Sequence, residues 1–271
     1  MQKEMTTAAS TDRSRVRDGE SRRNVVAKWL FLPLRLLFRL WFGLSFFISL
    51  LILYIPFRIM LSRREWFKHA FRLKCRWAKV QQFISLVPIT VKREAPLPKA
   101  PYIICCNHSS YLDIIHMLNV IPDFFLFMGK HELARWPLIG MFFKEMNIAV
   151  NRGNNMEAAR AFRRAAQALD NGTSVAIFPE GTIPQFTPRM KPFKDGAFKL
   201  ALEKQVPIVP ITFLDHWKLL GEPNDLFSRS RPGISRAIVH PPIHTKGMTE
   251  ADLVDLRTRV FKIIEAPLLK V

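Results

Sequence analysis

The chain has 271 residues, 49% of them apolar, enough for one large α/β domain with an appendage. Its 41 Lys and Arg against 22 Asp and Glu give a formal net charge of +19, so an anionic partner is expected: a membrane surface, a phosphorylated substrate or nucleic acid. The three cysteines, Cys75, Cys105 and Cys106, have no C-x-x-C spacing, which argues against a disulfide framework or zinc site and fits buried, reduced thiols.

Residues 1–28 are polar and basic, with little to bury, and read as a disordered tail. Leu40 to Phe57 is a run of eighteen residues without a charge. A bilayer span needs about 20. Arg35 and Arg39 precede the run and Arg58, Arg63 and Arg64 follow it. Positive charge on both sides gives the positive-inside rule little to act on, so a hairpin or interfacial helix is as consistent as a span. Beyond it, Arg64, Lys68, Arg72 and Arg76 recur every fourth residue on one helical face, with Trp66, Phe67, Phe71 and Trp77 around the remainder. From Lys28 to Lys79 there are eleven Lys and Arg and one acid, Glu65. Residues 29–85 therefore read as a membrane-associated helical segment suited to an anionic lipid surface.

Past Pro88 the pattern changes. Strands are expected at 102–106, 124–128, 147–150, 174–178, 208–213 and 237–239. Helices are expected at 111–120, 136–144, 156–170, 194–203 and 249–265, the last opened by a capping box of Thr249 and Asp252. Alternating strands and helices predict an α/β fold over 86–271, with a mostly parallel sheet flanked by helices.

Four of these strands end in chemistry-bearing groups: His108, Lys130, Arg152 and Glu180. Parallel strands would bring all four to one rim. His108 and Asp113 are spaced so that the carboxylate can accept from one imidazole nitrogen and leave the other as a general base. The same spacing also fits a plain cap, with Ser110-x-x-Asp113 serving only backbone amides. Glu180 sits between Pro179 and Gly181, where glycine permits a positive φ, and Thr182 adds a hydroxyl. Cations beside a base suit a phosphate-bearing substrate, and Arg152 suits bidentate contact.

These blocks resemble the glycerolipid acyltransferase family typified by the 1-acyl-sn-glycerol-3-phosphate (lysophosphatidic acid) acyltransferases. The His-x4-Asp signature is His108 and Asp113; Ile148 to Arg152 resembles the arginine block; Glu180, Gly181 and Thr182 match Glu-Gly-Thr; Phe193 to Phe198 and Pro207 to Pro210 resemble two further blocks. The resemblance implies transfer of a fatty acyl group from an acyl-CoA or acyl-carrier-protein thioester to the sn-2 hydroxyl of 1-acylglycerol 3-phosphate, giving phosphatidic acid. His108 would be the base and Asp113 its orienting partner. Arg152 and Lys194 would hold the phosphate, with Lys130 a weaker candidate, and Glu180, Gly181 and Thr182 would shape the acceptor site. No metal and no resident cofactor are implied. The partners implied are the acyl thioester donor, a lysophospholipid acceptor and the anionic cell membrane, with the active site on its cytoplasmic side.

Two positions depart from the family pattern. Ile183 stands where many relatives carry Arg, and Asp195 stands where Lys is frequent. Both remove positive charge, so another lysolipid or an acylated amino-acid lipid is an alternative acceptor; Arg189 or Lys191 would have to compensate. A non-enzymatic basic binder of membrane or nucleic acid rests only on the net charge, and no nucleic-acid module is recognisable.

Overall fold

The structure is a computed structural model that describes residues 29–222 and 225–270; the tail expected at 1–28 lies outside them. Three helices come first: α1 (Leu32–Ile52), α2 (Tyr54–Leu61) and α3 (Phe67–Ile84). The α/β part follows as β1 (Ile89–Arg93), β2 (Ile103–Cys106), α4 (Leu112–Val120), β3 (Phe125–Lys130), α5 (Gly140–Glu145), β4 (Ile148–Val150), α6 (Asn155–Asp170), β5 (Ser174–Ile177), α7 (Gly196–Lys204), β6 (Ile208–Phe213), α8 (His216–Leu219), β7 (Ser235–Val239) and α9 (Leu253–Leu268).

The seven strands form one sheet in the order β1-β7-β6-β2-β5-β3-β4. β6, β2, β5, β3 and β4 are mutually parallel, β7 runs antiparallel to β6, and β1 pairs parallel with β7. Every residue of β2, β5 and β6 is buried. A strand hidden on both faces needs apolar side chains in both phases of its two-residue repeat, which Ile103-Ile104-Cys105-Cys106 supplies. Ile104 and Cys106 pack with α1 to α5, while Ile103 and Cys105 pack with α6, α7 and α9. The N-terminal helices thus form one covering layer of the sheet.

Helix α1 docks through Phe38, Phe42 and Leu50 and leaves Leu37, Leu40, Trp41, Leu44, Ile48 and Leu51 exposed. It is the one helix among the described residues long and apolar enough to cross a membrane. Its attachment runs along its length. Arg35 donates to the Phe227 carbonyl at 2.9 Å and Arg39 to Ser230 Oγ at 2.8 Å near one end, while Ser49 Oγ donates to Gln81 Oε1 at 2.9 Å towards the other.

Several expected boundaries move for local reasons. The helix expected from Trp136 begins at Gly140, after a 3-10 turn over His131–Arg135. Strand β3 extends through Lys130, which is therefore its last residue. Lys194 precedes α7, its amide donating to the Pro179 carbonyl at 2.9 Å, and Asp195 takes the N-cap position without a side-chain cap. The Thr249–Asp252 capping box is present, opening a 3-10 turn that leads into α9.

Candidate active site

The ends of β2 and β6 are clamped by one side chain. Asn107 Nδ2 donates to the Phe213 carbonyl at 3.0 Å, and the Phe213 amide donates to Asn107 Oδ1 at 2.8 Å. This fixes where the chain leaves β2 and hence where His108 stands. The imidazole lies over the Phe178 ring, centroids 4.2 Å apart and planes 27° from parallel. Its Nδ1 is 2.8 Å from Asp113 Oδ2. The same oxygen accepts the amides of Ser109 and Ser110 at 2.7 and 3.0 Å. Asp113 therefore serves both the backbone amides that lead into α4 and the histidine, and the two sequence readings coincide in one carboxylate.

Burial alone would raise the Asp113 pKa. Hydrogen bonds from His108 and His216, with their electrostatic attraction, outweigh it and hold the carboxyl down at about 2. A carboxylate is acceptor-only, so His108 Nδ1 carries its proton towards Asp113 and Nε2 is left as the basic nitrogen.

Glu180 turns inward. Its Oε1 accepts the His108 amide at 2.7 Å and its Oε2 the Lys191 amide at 2.8 Å. Burial is the main cause that pushes its pKa up to about 7, against the two amide hydrogen bonds. In this arrangement Glu180 shapes the site by fixing two backbone segments, and its oxygens do not line the cleft. Gly181 follows with φ +80°, closing its amide onto the Phe178 carbonyl at 3.0 Å. Arg152 Nη1 donates to the Gly181 carbonyl. A methyl group added at Gly181 would lie 3.2 Å from Lys194 Cε and 3.4 Å from Arg152 Nη1. The glycine thus lets two cations approach the turn, and Lys191 Nζ donates to Thr182 Oγ1 at 3.0 Å beside them.

His108, Tyr111, Lys130, Arg152, Phe178, Gly181, Thr182, Ile183 and Lys191 line a cleft of 430 Å³. Lys130 lies at its edge, ion-paired with Glu132 at 2.6 Å. Of the two departures in charge, Ile183 faces the cleft, whereas Asp195 is turned away and paired with Arg257. Lys191 supplies a cation that the sequence left open.

An apolar cavity of 320 Å³ adjoins the cleft and shares Tyr111, Ile114, Phe127, Leu133, Trp136 and Phe143 with it. It continues beneath α1 to Phe42, Gly43, Phe46 and Leu50. Lys74 is buried in its wall, within 5.3 to 5.5 Å of the ring centroids of Phe71, Phe127 and Phe142, and burial lowers its pKa to about 8. No periodic signal in the chain marks this cavity, because its lining comes from α1, α3, α4, β3, α5 and the turns between elements.

The site thus combines a base held by a carboxylate, cations at a glycine turn and an adjoining apolar cavity. Residues 88–214 match the family model described as Acyltransferase, and this stretch contains His108, Asp113, Arg152 and Glu180 to Thr182. The chain is 34% identical to the 1-acyl-sn-glycerol-3-phosphate acyltransferase alpha of Mus musculus over 172 residues, 60% of this chain and 57% of that protein. It is 30% identical to the putative 1-acyl-sn-glycerol-3-phosphate acyltransferase acl-2 of Caenorhabditis elegans over 191 residues, 69% of this chain and 64% of that one. The chain thus spans less than two thirds of the length of these curated relatives. The crystal structure of the 1-acyl-sn-glycerophosphate acyltransferase PlsC from Thermotoga maritima has the same fold, with a TM-score of 0.71 at 22% identity, covering 87% of this chain and 95% of that one.

Proposed function

We propose that the chain is a 1-acylglycerol-3-phosphate O-acyltransferase, moving a fatty acyl group from a CoA or carrier-protein thioester to the sn-2 hydroxyl and releasing phosphatidic acid. The observation that carries this reading is His108 held by Asp113 at the cleft, next to an apolar cavity and a cationic turn. The acceptor hydroxyl gives its proton to His108 Nε2 as its oxygen attacks the thioester carbonyl carbon. The tetrahedral oxyanion collapses, the C–S bond breaks, and the departing thiolate takes the proton back from the imidazolium. Asp113 supports the imidazolium, the Phe178 ring fixes its plane, and Arg152, Lys191 and Lys194 attract the acceptor's phosphate. The acyl chain lies in the cavity beneath α1.

Ile183 in the cleft wall favours a second reading, with the same chemistry on a lysolipid bearing a different head group. Initial rates with a panel of lysolipids at equal surface concentration separate the two. Strong preference for lysophosphatidic acid supports the first, and equal or better use of a zwitterionic lysolipid sinks it.

The exposed apolar face of α1, with Phe83 and Ile84 of α3, is read as docking into the anionic cytoplasmic leaflet, where acceptor and product partition. A helix of 21 residues is about 31 Å long. Its attachments, to Phe227 near one end and to Gln81 of α3 towards the other, favour a helix lying in one leaflet over one that crosses the bilayer. Flotation with vesicles tests this: Ile48→Glu should weaken binding to anionic vesicles. Undiminished binding of that variant would contradict the docking.

A further inference from the structure

We propose that His216 is a positioning residue for acyl transfer, holding the Asp113 oxygen that His108 does not use. The inference deepens the proposed reaction and rests on it. His216 lies two residues beyond the stretch matched by the acyltransferase family model.

The Asp113 carboxylate is fully buried, so each oxygen needs a protein donor. Oδ2 accepts from His108 Nδ1 and the amides of Ser109 and Ser110. Oδ1 is 2.5 Å from His216 Nδ1. His216 is itself fully buried and fixed on three sides. Its ring lies on Phe213, centroids 4.4 Å apart and 23° from parallel. Its Nε2 is 2.7 Å from His116 Nδ1. The turn that carries it is anchored by Asp215, which accepts two hydrogen bonds from Arg236 at 2.7 and 2.8 Å, and by Ser110 Oγ, which donates to the Leu220 carbonyl. Four side chains thus connect in series, from His108 at the cleft through the buried Asp113 and His216 to the buried His116.

The consequence is geometric. A carboxylate held at one oxygen can pivot about its Cβ–Cγ bond; held at both, it presents Oδ2 to His108 in one orientation. Loss of the His216 donor would leave Oδ1 unpaired in a dry site. The carboxylate then gains by turning away or binding a proton, and either change loosens its hold on His108.

Three variants separate a hydrogen bond from mere packing. His216→Asn keeps an N–H near the Nδ1 position, His216→Gln keeps an amide near Nε2, and His216→Phe keeps only the stack on Phe213. The expected result is a fall in kcat of roughly 10- to 100-fold for Phe and Gln, with KM for donor and acceptor unchanged and most of the rate restored in Asn. Thermal melts of all three check that the losses do not follow stability. Equal impairment in Asn and Gln, or Phe within twofold of wild type, would overturn the proposal; if Phe does not fold, the Asn-to-Gln comparison decides alone. A readout without turnover is the His108 Nδ1–H proton resonance, expected upfield of its wild-type position in Gln and near it in Asn. An unmoved resonance in Gln contradicts the proposal. Wild-type and His108→Ala enzymes are assayed beside these variants. Absent acyl transfer by the wild type, or full activity of His108→Ala, defeats the proposed reaction, and the resonance still judges His216.

Discussion

His108 and Asp113 meet at 2.8 Å through a carboxylate oxygen that also accepts two backbone amides at the start of α4. Folding the helix therefore places the base: the carboxylate that satisfies the amides of Ser109 and Ser110 fixes the oxygen towards which His108 turns. Replacing Asp113 should separate these duties. Asp113→Asn keeps a carbonyl for the amides but loses the charge that supports an imidazolium, so kcat should fall roughly 10²- to 10⁴-fold with little change in KM. Asp113→Ala should in addition lower the melting temperature, since each buried donor left unsatisfied costs about 1–3 kcal/mol. Steady-state kinetics with thermal melts check both, and an Asn variant within threefold of wild type would contradict the pairing.

Gly181 holds φ at +80°, and a methyl there would crowd Lys194 and Arg152. Gly181→Ala should cost about 1–2 kcal/mol of backbone strain and push both cations from the turn. The acceptor KM should rise about tenfold while the KM for the acyl donor stays near wild type. Arg152→Ala should move the same constant in the same direction, measured with the same acceptor.

Glu180 gives stability a pH dependence with a definite sign. Its pKa in the folded chain is raised to about 7, above the unfolded value of about 4.3. The fold therefore binds this proton more tightly than the unfolded chain does, and the protonated state is the more stable one. Stability from this group is full below about pH 4.3, declines as pH rises to about 7, and is level above. Asp113 acts oppositely. Its folded pKa of about 2 lies below the unfolded value, so its contribution is present above about pH 4 and is lost as pH falls through 2. Chemical denaturation at pH 5 and 7 should show Glu180→Gln with a flatter dependence than wild type; an identical slope would contradict the assignment.

Gly43 sits on α1 with nothing within 4 Å of where a side chain would begin, and it lines the apolar cavity. Gly43→Phe should fill that space and recover helix propensity, since a mid-helix glycine costs about 1 kcal/mol. The ratio of kcat/KM for long- over short-chain acyl donors should fall about tenfold, without loss of stability. An unchanged chain-length profile would place the acyl group elsewhere.

The parallel part of the fold was legible because β2, β5 and β6 are short apolar runs between helices, and their ends delivered His108 and Glu180 to one rim as expected. Arg152 follows β4 to the same cleft. Strand β1 was not foreseen: Ile89-Thr90-Val91-Lys92-Arg93 is short, half exposed and charged at its end, as an edge strand is. The inward turn of Glu180 could not be read from spacing, because its partners are the amides of His108 and Lys191, and every residue type but proline has one. His216 carried a usable signal, a histidine beyond the end of a buried strand on the same rim as His108. Its distance of 103 residues from Asp113 hid the pairing.

The measurement that bears most directly on the central claim is acyl transfer from acyl-CoA to lysophosphatidic acid by wild type and His108→Ala at saturating substrates. The account predicts a loss in kcat of roughly 10²- to 10⁴-fold with the melting temperature nearly unchanged. Transfer by the folded variant at the wild-type rate would contradict His108 as the base.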